Sequence, residues 1–368
     1  MEQGLLQFLP WYAGGVRQAV ISWTGLTVCR LRELVGRAGE DHARIIVLQS
    51  GGLGDAVLTL PVINGLRRRW PRARLAVVAG KLGREVFDTF APGLTVYAPG
   101  AENNVFEPET QLIVHLRGGF QAVRAAWKNP FARFVCGLPR RSRLRWAPLY
   151  YLGLPAPPSR EHQYDTFSTM MRPLGIELPA WPRLAVRQEW HASLMEKLRD
   201  KGIEQKRLAV LHLFAAWSPR TWPLERWRDL LVHLQEDLHL EVCLVGGPED
   251  KTTLAQWGNK RFPVSVLAGE LSLGELAALC ERAVLFVGND SGPAHLAAAA
   301  GARCVVLYGP QESALFGIRS SKAVAVQGHY FCTPCWQTVC PFGQARCLDS
   351  ISVDMVKAAV HTALEIHE

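Results

Sequence analysis

The stretch Val287-Gly-Asn-Asp-Ser-Gly-Pro-Ala-His295 predicts the fold of this chain, because it has the pattern of a strand that turns directly into a helix. Residues 283–287 are apolar, Gly288 and Gly292 permit a tight turn, and the Asn-Asp-Ser between them are helix N-cap types. The proline that follows suits a first helical turn. A second apolar strand at residues 303–308 completes a strand–helix–strand unit, which is typical of α/β folds with a parallel sheet.

The start of this helix is a candidate anion site. Backbone N–H groups without a helical partner, and a partial positive charge of about half a unit, favour a phosphate at a helix N-terminus. Asp290, Ser291 and Gly292 would lie at the start itself, and His295 one turn further on. A well-capped helix with a structural histidine explains the same residues, so the stretch alone leaves both interpretations open.

Composition is that of a globular protein with two domains. The chain has 368 residues, of which 48% are hydrophobic and 20% charged, so it can bury a sizeable core. The net charge of +8 favours anionic partners. No motif that reads DNA or RNA is present, so nucleic acid is not expected as a partner.

Residues 1–41 differ from the rest of the chain. They mix aromatic side chains with arginines, and their uncharged run at residues 18–29 is too short to span a bilayer. They lack the pattern of a signal peptide. An amphipathic segment that lies on a membrane and an additional helix packed on the body both fit this composition.

A first α/β series begins with a strand at residues 43–49, followed by a glycine-rich turn and a helical run at residues 56–70. Pro61 within that run indicates a kink or a late helix start. Three further short apolar strands are expected at residues 75–79, 94–97 and 111–116.

The amino-acid composition changes at residues 139–187, where Pro-rich, aromatic and basic stretches indicate a surface connection and linker. A second α/β series follows, with strands expected at residues 208–213 and 241–245 and helices at residues 224–235 and 273–282. We therefore expect an N-terminal extension, an N-terminal domain, a C-terminal domain and a final helix, at residues 1–41, 42–180, 181–350 and 351–368.

The turn Ser50-Gly-Gly-Leu-Gly-Asp55 has some features of a dinucleotide-binding turn. Its spacing differs from G-x-G-x-x-G, and the next strand ends in Ala79-Gly-Lys81 without an acidic residue for a ribose, which counts against a nicotinamide enzyme. The turn does provide a carboxylate, Asp55, at a strand end with little side-chain bulk around it. Helix capping is the alternative role of this aspartate.

Two charged residues lie in loops that follow strands of the second series, where ligands of open α/β sheets bind. Arg220, in Ser218-Pro-Arg-Thr-Trp-Pro223, could grip phosphate oxygens bidentately. Glu249, in Gly246-Gly-Pro-Glu249, could accept hydrogen bonds from ribose hydroxyls. A solvated arginine and a solvated or N-capping acid are the alternatives.

Four of the nine cysteines form a C-x₂-C-x₄-C-x₆-C array, namely Cys332, Cys335, Cys340 and Cys347. Because the other five are scattered, a reducing cytosol fits better than a secreted disulfide scaffold. The array is tight enough for a structural tetrathiolate zinc or iron site. Reduced or disulfide-bonded cysteines are the alternatives.

These motifs resemble those of glycosyltransferase family nine, the bacterial heptosyltransferases of lipopolysaccharide core assembly. Residues 45–70, with Leu53-Gly-Asp55, resemble the family's amino-terminal signature. Arg220-Thr-Trp-Pro223, Gly246-Gly-Pro-Glu249 and the opening stretch resemble its carboxyl-terminal motifs, in the same order. The resemblance covers the chain from about residue 44 to the end.

The resemblance implies an α/β GT-B fold, in which two Rossmann-like domains face a central cleft and the carboxyl-terminal one binds the nucleotide sugar. It implies an inverting transfer of heptose from ADP-heptose to the lipopolysaccharide inner core, without a catalytic cofactor. The place of action would be the cytoplasmic side, in peripheral contact with the inner membrane. Asp55 matches the general base of the N-terminal domain, and Asp290 and Glu249 match donor-holding positions. Arg220 and the helix start at residues 290–292 would then stabilise the leaving diphosphate.

Arg117 and Gly54 are the candidates for acceptor binding. Arg117 follows a predicted strand end in an arginine-rich half of the chain, which suits acidic core sugars and phosphorylated lipid. Most other arginines of that half fit a solvated basic face equally well.

Several positions depart from the family pattern. His212-Leu-Phe214 replaces the usual His-Pro-Gly, and Ala215 and Ala216 stand where some members have hydroxyls that contact phosphate. These departures leave the donor sugar and the acceptor open. The alternatives are a relative that glycosylates a protein or uses another sugar nucleotide, a sugar-nucleotide epimerase, and a non-catalytic nucleotide-sugar-binding or scaffold protein.

Overall fold

The computed structural model describes residues 44–49, 51–100, 110–116, 133–136, 162–257, 263–335 and 339–366. The described residues divide into two compact units. The first holds those up to Gly52 and from Thr59 to Leu178, and the second holds Leu53–Leu58 and those from Pro179 onward. The segment 1–41 lies outside the described residues. Within them, no helix is both long and apolar enough to cross a bilayer.

The first unit is built on a parallel sheet whose five described strands run in the order β3-β2-β1-β4-β5. The central strand β1 is buried along its whole length, as expected for a parallel sheet covered on both faces. The strands are β1 (Arg44–Leu48), β2 (Arg74–Val78), β3 (Thr95–Tyr97), β4 (Thr110–His115) and β5 (Arg133–Cys136), and the helices that begin in this part of the chain are α1 (Leu53–Arg69), α2 (Lys81–Phe90) and α3 (Gln163–Met171).

The second unit is built on a parallel sheet of six described strands in the order β11-β10-β9-β6-β7-β8. Its strands are β6 (Leu208–His212), β7 (Glu241–Leu244), β8 (Ser265–Val266), β9 (Leu285–Asn289), β10 (Cys304–Tyr308) and β11 (Ala323–Gln327). Its helices are α4 (Gln188–Asp200), α5 (Leu224–Val232), α6 (Lys251–Trp257), α7 (Leu273–Arg282), α8 (Gly292–Ala299), α9 (Ser313–Phe316), α10 (Arg346–Asp349) and α11 (Val353–Glu365).

Both sheets have the doubly wound strand order of Rossmann-like folds. Strand order reverses between β1 and β4 in the first sheet and between β6 and β9 in the second. Ligands of such sheets bind beyond the carboxyl ends of the strands at this switch point. Since β6 ends at His212 and β9 at Asn289, the loops after these two strands are the expected binding positions of the second unit.

The structure decides two local expectations. Helix α1 begins at Leu53 and continues through Pro61, so of the two alternatives for the proline the late helix start is excluded. Part of the predicted linker is core, because α3 buries Tyr164, Phe167 and Met171, which fall on one helical face at spacings of three and four. The sequence did not indicate this apolar helix face, because the residues around it are basic and aromatic.

Candidate active site

Buried hydrogen bonds hold the loop after β6 against the end of β9. Asn289, which is fully buried, accepts a hydrogen bond from the Trp222 backbone N–H at 3.1 Å and donates one to the Leu213 carbonyl at 2.7 Å. The Trp222 indole N–H donates to the Ile351 carbonyl at 3.0 Å. With both of its ends fixed, this loop places Arg220 at the switch point of the sheet.

The Arg220 side chain lies beside Asp290, the residue that directly follows β9. Its Nη1 lies 3.6 Å from Asp290 Oδ2 and 3.5 Å from the Asp290 carbonyl oxygen. Its guanidinium also lies over the Trp217 ring, 4.2 Å from the ring centroid. Burial raises the pKa of the Asp290 carboxyl, and the positive charges of Arg220 and His295 act in the opposite direction. The guanidinium thus stabilises a buried carboxylate beside the helix start.

Ser291 is the N-cap residue of α8, but its side chain makes no capping hydrogen bond. Its hydroxyl instead lies 3.1 Å from Nδ1 of His212, at the end of β6. Burial lowers the pKa of the His212 imidazole to about 4, so this ring is neutral near pH 7. Ser291 thus occupies the N-cap position that its residue type indicates, while its hydroxyl pairs with His212 rather than with the first helical N–H groups.

His295 is buried in the first turns of α8. Its ring stacks on Trp181, with ring centroids 6.1 Å apart. Burial lowers the pKa of the His295 imidazole, and the negative charges of Asp290 and Asp55 oppose that shift. A Cβ at Gly54 would lie 2.8 Å from His295 Cδ2, so the first turn of α1 approaches the ring closely only because residue 54 is glycine.

Gly288 and Gly292 act through the absence of a side chain rather than through an unusual backbone. Gly288 lies within β9 and Gly292 begins α8, so they flank the short turn from strand to helix, and neither has positive φ. A Cβ on Gly288, within β9, would lie 2.8 Å from Phe286 Cε1. One on Gly292 would lie 2.7 Å from Leu53 Cβ. Gly292 therefore allows the first turn of α1 to lie against the start of α8.

The structure brings together the predicted base and most of the predicted donor-side residues. Asp55 is half-buried in the first turn of α1, and its negative charge acts to raise the pKa of Asp290 and opposes the lowering of the pKa of His295. With Arg220 and the start of α8, these residues form one cluster within the second unit.

Two predicted residues are not part of this cluster as described. Glu249 is exposed in the 3₁₀ turn Pro248–Asp250, and no contact among the described residues joins it to Arg220 or Asp290. The backbone N–H of Gly247 donates to Asp250, at 2.9 Å, rather than to Glu249. Arg117 lies outside the described residues.

Two residues of the site, His212 and Trp181, are not predicted from the sequence alone. His212 pairs in register with Gly288, so its place beside the end of β9 follows once the strand order is known. Trp181 gives no such signal, because its contact with His295 depends on the path of a proline-rich stretch.

The four cysteines of the array line one cavity of about 180 Å³ in the second unit. Burial raises the pKa of the Cys347 thiol to about 11. Within the described parts of the chain, however, no group of three or more His, Cys, Asp or Glu side chains is arranged to hold a metal ion. The cysteines share a cavity without forming a coordination site.

Comparison with known proteins agrees with this geometry. The profile of glycosyltransferase family 9 (heptosyltransferase) matches residues 131–346. Lipopolysaccharide heptosyltransferase 3 of Escherichia coli K12 is 22% identical over 286 residues, 70% of this chain and 80% of that protein. Another lipopolysaccharide heptosyltransferase 3 of Escherichia coli is 45% identical over 77 residues, which cover 20% of this chain and only 22% of that protein.

Structural similarity extends over most of the chain. The crystal structure of a family 9 glycosyl transferase from Veillonella parvula covers 88% of this chain and 98% of its own, with 22% identity and a TM-score of 0.69. Together with the two doubly wound sheets, this similarity identifies a GT-B fold. Because the family profile spans more than half of the sequence, including Arg220 and the whole of residues 288–295, the chain belongs to glycosyltransferase family 9.

Proposed function

We propose that this glycosyltransferase transfers a heptose from ADP-heptose, or from a related nucleotide sugar, onto the inner core of lipopolysaccharide, with inversion at the anomeric carbon. The names of the curated relatives support the heptose and the lipopolysaccharide acceptor. The proposed place of action is the cytoplasmic face of the inner membrane, in peripheral contact with the lipid.

The observation that carries the proposal is the cluster of Arg220 and Asp290 at the start of α8. As the bond between sugar and diphosphate breaks, negative charge grows on the leaving phosphate oxygens. A fixed guanidinium and the first N–H groups of a helix can stabilise that charge without a metal ion. Because the Ser291 side chain bonds His212, it does not compete for those N–H groups.

Asp55 is the proposed general base. An acceptor hydroxyl is a poor nucleophile until its proton is removed during attack on the anomeric carbon. Of the two carboxylates in the cluster, Asp290 is buried and paired with Arg220, whereas Asp55 is half-buried. Asp55 is therefore the carboxylate that a large acceptor can reach. Gly54 and Arg117 remain the proposed acceptor-side residues, and Glu249 a proposed ribose contact.

The test is incubation with ADP-heptose and a panel of core-lipid and protein acceptors, read by mass spectrometry. We expect the mass of one heptose on a core lipid, with an inverted linkage by NMR. Transfer to protein alone would favour the protein-glycosylating alternative. Conversion of the donor without acceptor would indicate an epimerase, and donor binding without any turnover would indicate a non-catalytic binding protein.

Acid is expected to destabilise the second unit through His212. The folded-state pKa of about 4 lies below the ordinary 6.5, so between these values the unfolded chain binds a proton that the folded chain does not. The stabilisation is therefore complete above pH 6.5 and is lost as the pH falls toward 4. The slope from this residue is at most about 1.4 kcal/mol per pH unit. Urea unfolding at several pH values between 7.5 and 4 measures it.

His212→Asn keeps a polar group near the Ser291 hydroxyl and removes the titrating ring. We expect a flatter pH dependence of the urea midpoint, with a residual part from His295, whose pKa burial also lowers, and from His115 in the first unit. The exposed His329 provides the control His329→Asn, which should leave the dependence unchanged. A pH dependence that is equally steep in His212→Asn contradicts a buried neutral ring.

A structural zinc or iron ion at the cysteine array stays a proposal, with no role in catalysis. Four thiolates are a ligand set that both metals accept, and the shared cavity supports it, although the described geometry is not a coordination site. We expect stoichiometric metal in protein purified without a tag, and its loss in Cys335→Ser. Cys243→Ser, at a buried cysteine outside the array, is the control. Protein without either metal, with titratable thiols, would exclude the site.

A further inference from the structure

An exposed aromatic patch lies beside the cysteine cavity in the second unit. Six large hydrophobic side chains are exposed in the described part of the chain, and four of them fall between residues 330 and 342. Three are aromatic and define the patch: Tyr330 is 38% exposed, Phe331 79% and Phe342 44%. Contiguous exposed apolar patches are typical of surfaces that contact a protein, a membrane or a ligand.

The three rings pack on one another. The ring centroids lie 4.7 Å apart for Tyr330 and Phe331, and 5.7 Å apart for each of these with Phe342. The backbone beneath them is fixed to the body, since the N–H of His329 donates to Ser350 at 2.9 Å and that of Cys335 to the Pro310 carbonyl at 3.1 Å. The backbone that carries the patch is therefore fixed to the rest of the second unit.

The sequence that contains the patch carries only basic charges over a long stretch. From residue 313 to residue 348 the sequence contains no Asp or Glu, whereas it contains Arg319, Lys322 and Arg346. Arg346 lines the same cavity as Tyr330 and Phe342, and its side chain is 57% exposed. The nearest acid in sequence, Asp349, lies 4.0 Å from Arg346 and has a side chain only 20% exposed.

We infer that the aromatic patch inserts into the interface of an anionic phospholipid bilayer. Aromatic rings partition to the depth of the headgroups, and neighbouring arginine and lysine side chains are attracted to acidic headgroups. Arg346 supplies that attraction directly beside the rings. The inference depends on the proposed function only in that a lipid-linked acceptor gives the contact its purpose, because the contact itself needs neither donor nor catalysis.

The test is flotation of the full chain with two kinds of vesicle. One contains phosphatidylethanolamine and phosphatidylglycerol in equal parts, and the other contains phosphatidylcholine alone. We expect binding to the anionic vesicles only, weakened by high salt. Phe331→Ser combined with Phe342→Ser should lower the bound fraction about tenfold or more, because two rings no longer enter the interface.

Matched controls separate this surface from other apolar positions. Met355 is 42% exposed on α11 of the same unit, so Met355→Ser should bind vesicles like the unaltered protein. Every variant keeps residues 1–41, so a loss cannot come from that segment. Phe331→Ser alone serves if the double variant does not fold, since Phe331 is the most exposed ring.

Two results would overturn the inference. One is unchanged vesicle binding in the aromatic variants. The other is an unaltered protein that does not bind the anionic vesicles, with self-association by light scattering that the aromatic variants lose, which would make the patch an interface with a second copy. Transfer to a detergent-solubilised acceptor, measured in parallel, tests the proposed function separately, because it requires no bilayer.

Discussion

Asp55→Ala is expected to lower kcat for sugar transfer by roughly 10²–10⁴-fold, the range that a positioned general base contributes. The affinity for the nucleotide donor should change little, because Arg220 and the start of α8 are intact. The proposed role of Asp55 concerns the acceptor and not the phosphates, and its negative charge acts on Asp290 and His295 only by favouring their protonated forms. Initial rates with a core-lipid acceptor, and calorimetric titration with ADP, measure the two quantities.

The fold of the Asp55 variant must be checked, because Asp55 lies in the first turn of α1, where a carboxylate stabilises the helix by about 0.3–1 kcal/mol. Thermal unfolding is therefore measured beside activity. Asp88→Ala removes an exposed aspartate from α2 and should leave transfer unchanged. If Asp55→Ala still transfers sugar at the rate of the unaltered protein, Asp55 is not the base, and the helix-stabilising role is sufficient to explain it.

Local sequence patterns predict the backbone of the site well. The apolar run before residue 288 and the Asn-Asp-Ser-Gly-Pro after it place a strand and a helix where β9 and α8 occur. Both patterns depend on neighbours within one turn or one strand, which a sequence displays directly. The same holds for the strand that ends before Asp55. Pro61 left a kink and a late helix start as alternatives, because a proline removes one backbone hydrogen bond in either case, and only the structure shows that the helix begins before it.

Contacts across the sheet are not contained in such patterns. Ser291 looks like a helix cap in sequence, and only the adjacency of β6 and β9 shows that His212 competes for its hydroxyl. The glycines at 288 and 292 look like turn residues in the sequence. In the fold they are needed because a Cβ there would come too close to Phe286 and Leu53. Glu249 lies in the predicted loop. In the 3₁₀ turn that forms there, however, the Gly247 N–H donates to the Asp250 carboxylate, and the Glu249 side chain is exposed. Contacts of this kind join residues that are distant in sequence, so they can be predicted only once the order of the strands in the sheet is known.

Arg220→Ala is expected to weaken ADP binding by roughly 10²-fold. Loss of one partner of a buried, hydrogen-bonded charge pair across a binding interface costs about 2–5 kcal/mol. The proposed contact between the Arg220 guanidinium and the diphosphate is such a pair, since only 18% of the Arg220 side chain is exposed. The loss should appear in the calorimetric Kd and in KM for the donor. Because the positive charge of Arg220 lowers the pKa of Asp290, its removal leaves the burial of Asp290 less opposed, and we expect the defect to change with pH.

Arg220→Lys distinguishes charge from geometry. A lysine keeps the positive charge but lacks the planar fork that grips two phosphate oxygens and lies over Trp217, so we expect an intermediate loss of about tenfold. Arg228 makes a similar contact with the Trp257 ring, at 6.0 Å, on the exposed side of α5, and Arg228→Ala is the matched control. Unaltered ADP binding in Arg220→Ala would show that the diphosphate is held elsewhere. An equal loss in Arg220→Lys and Arg220→Ala would show that the guanidinium fork, rather than the charge, is what the donor requires.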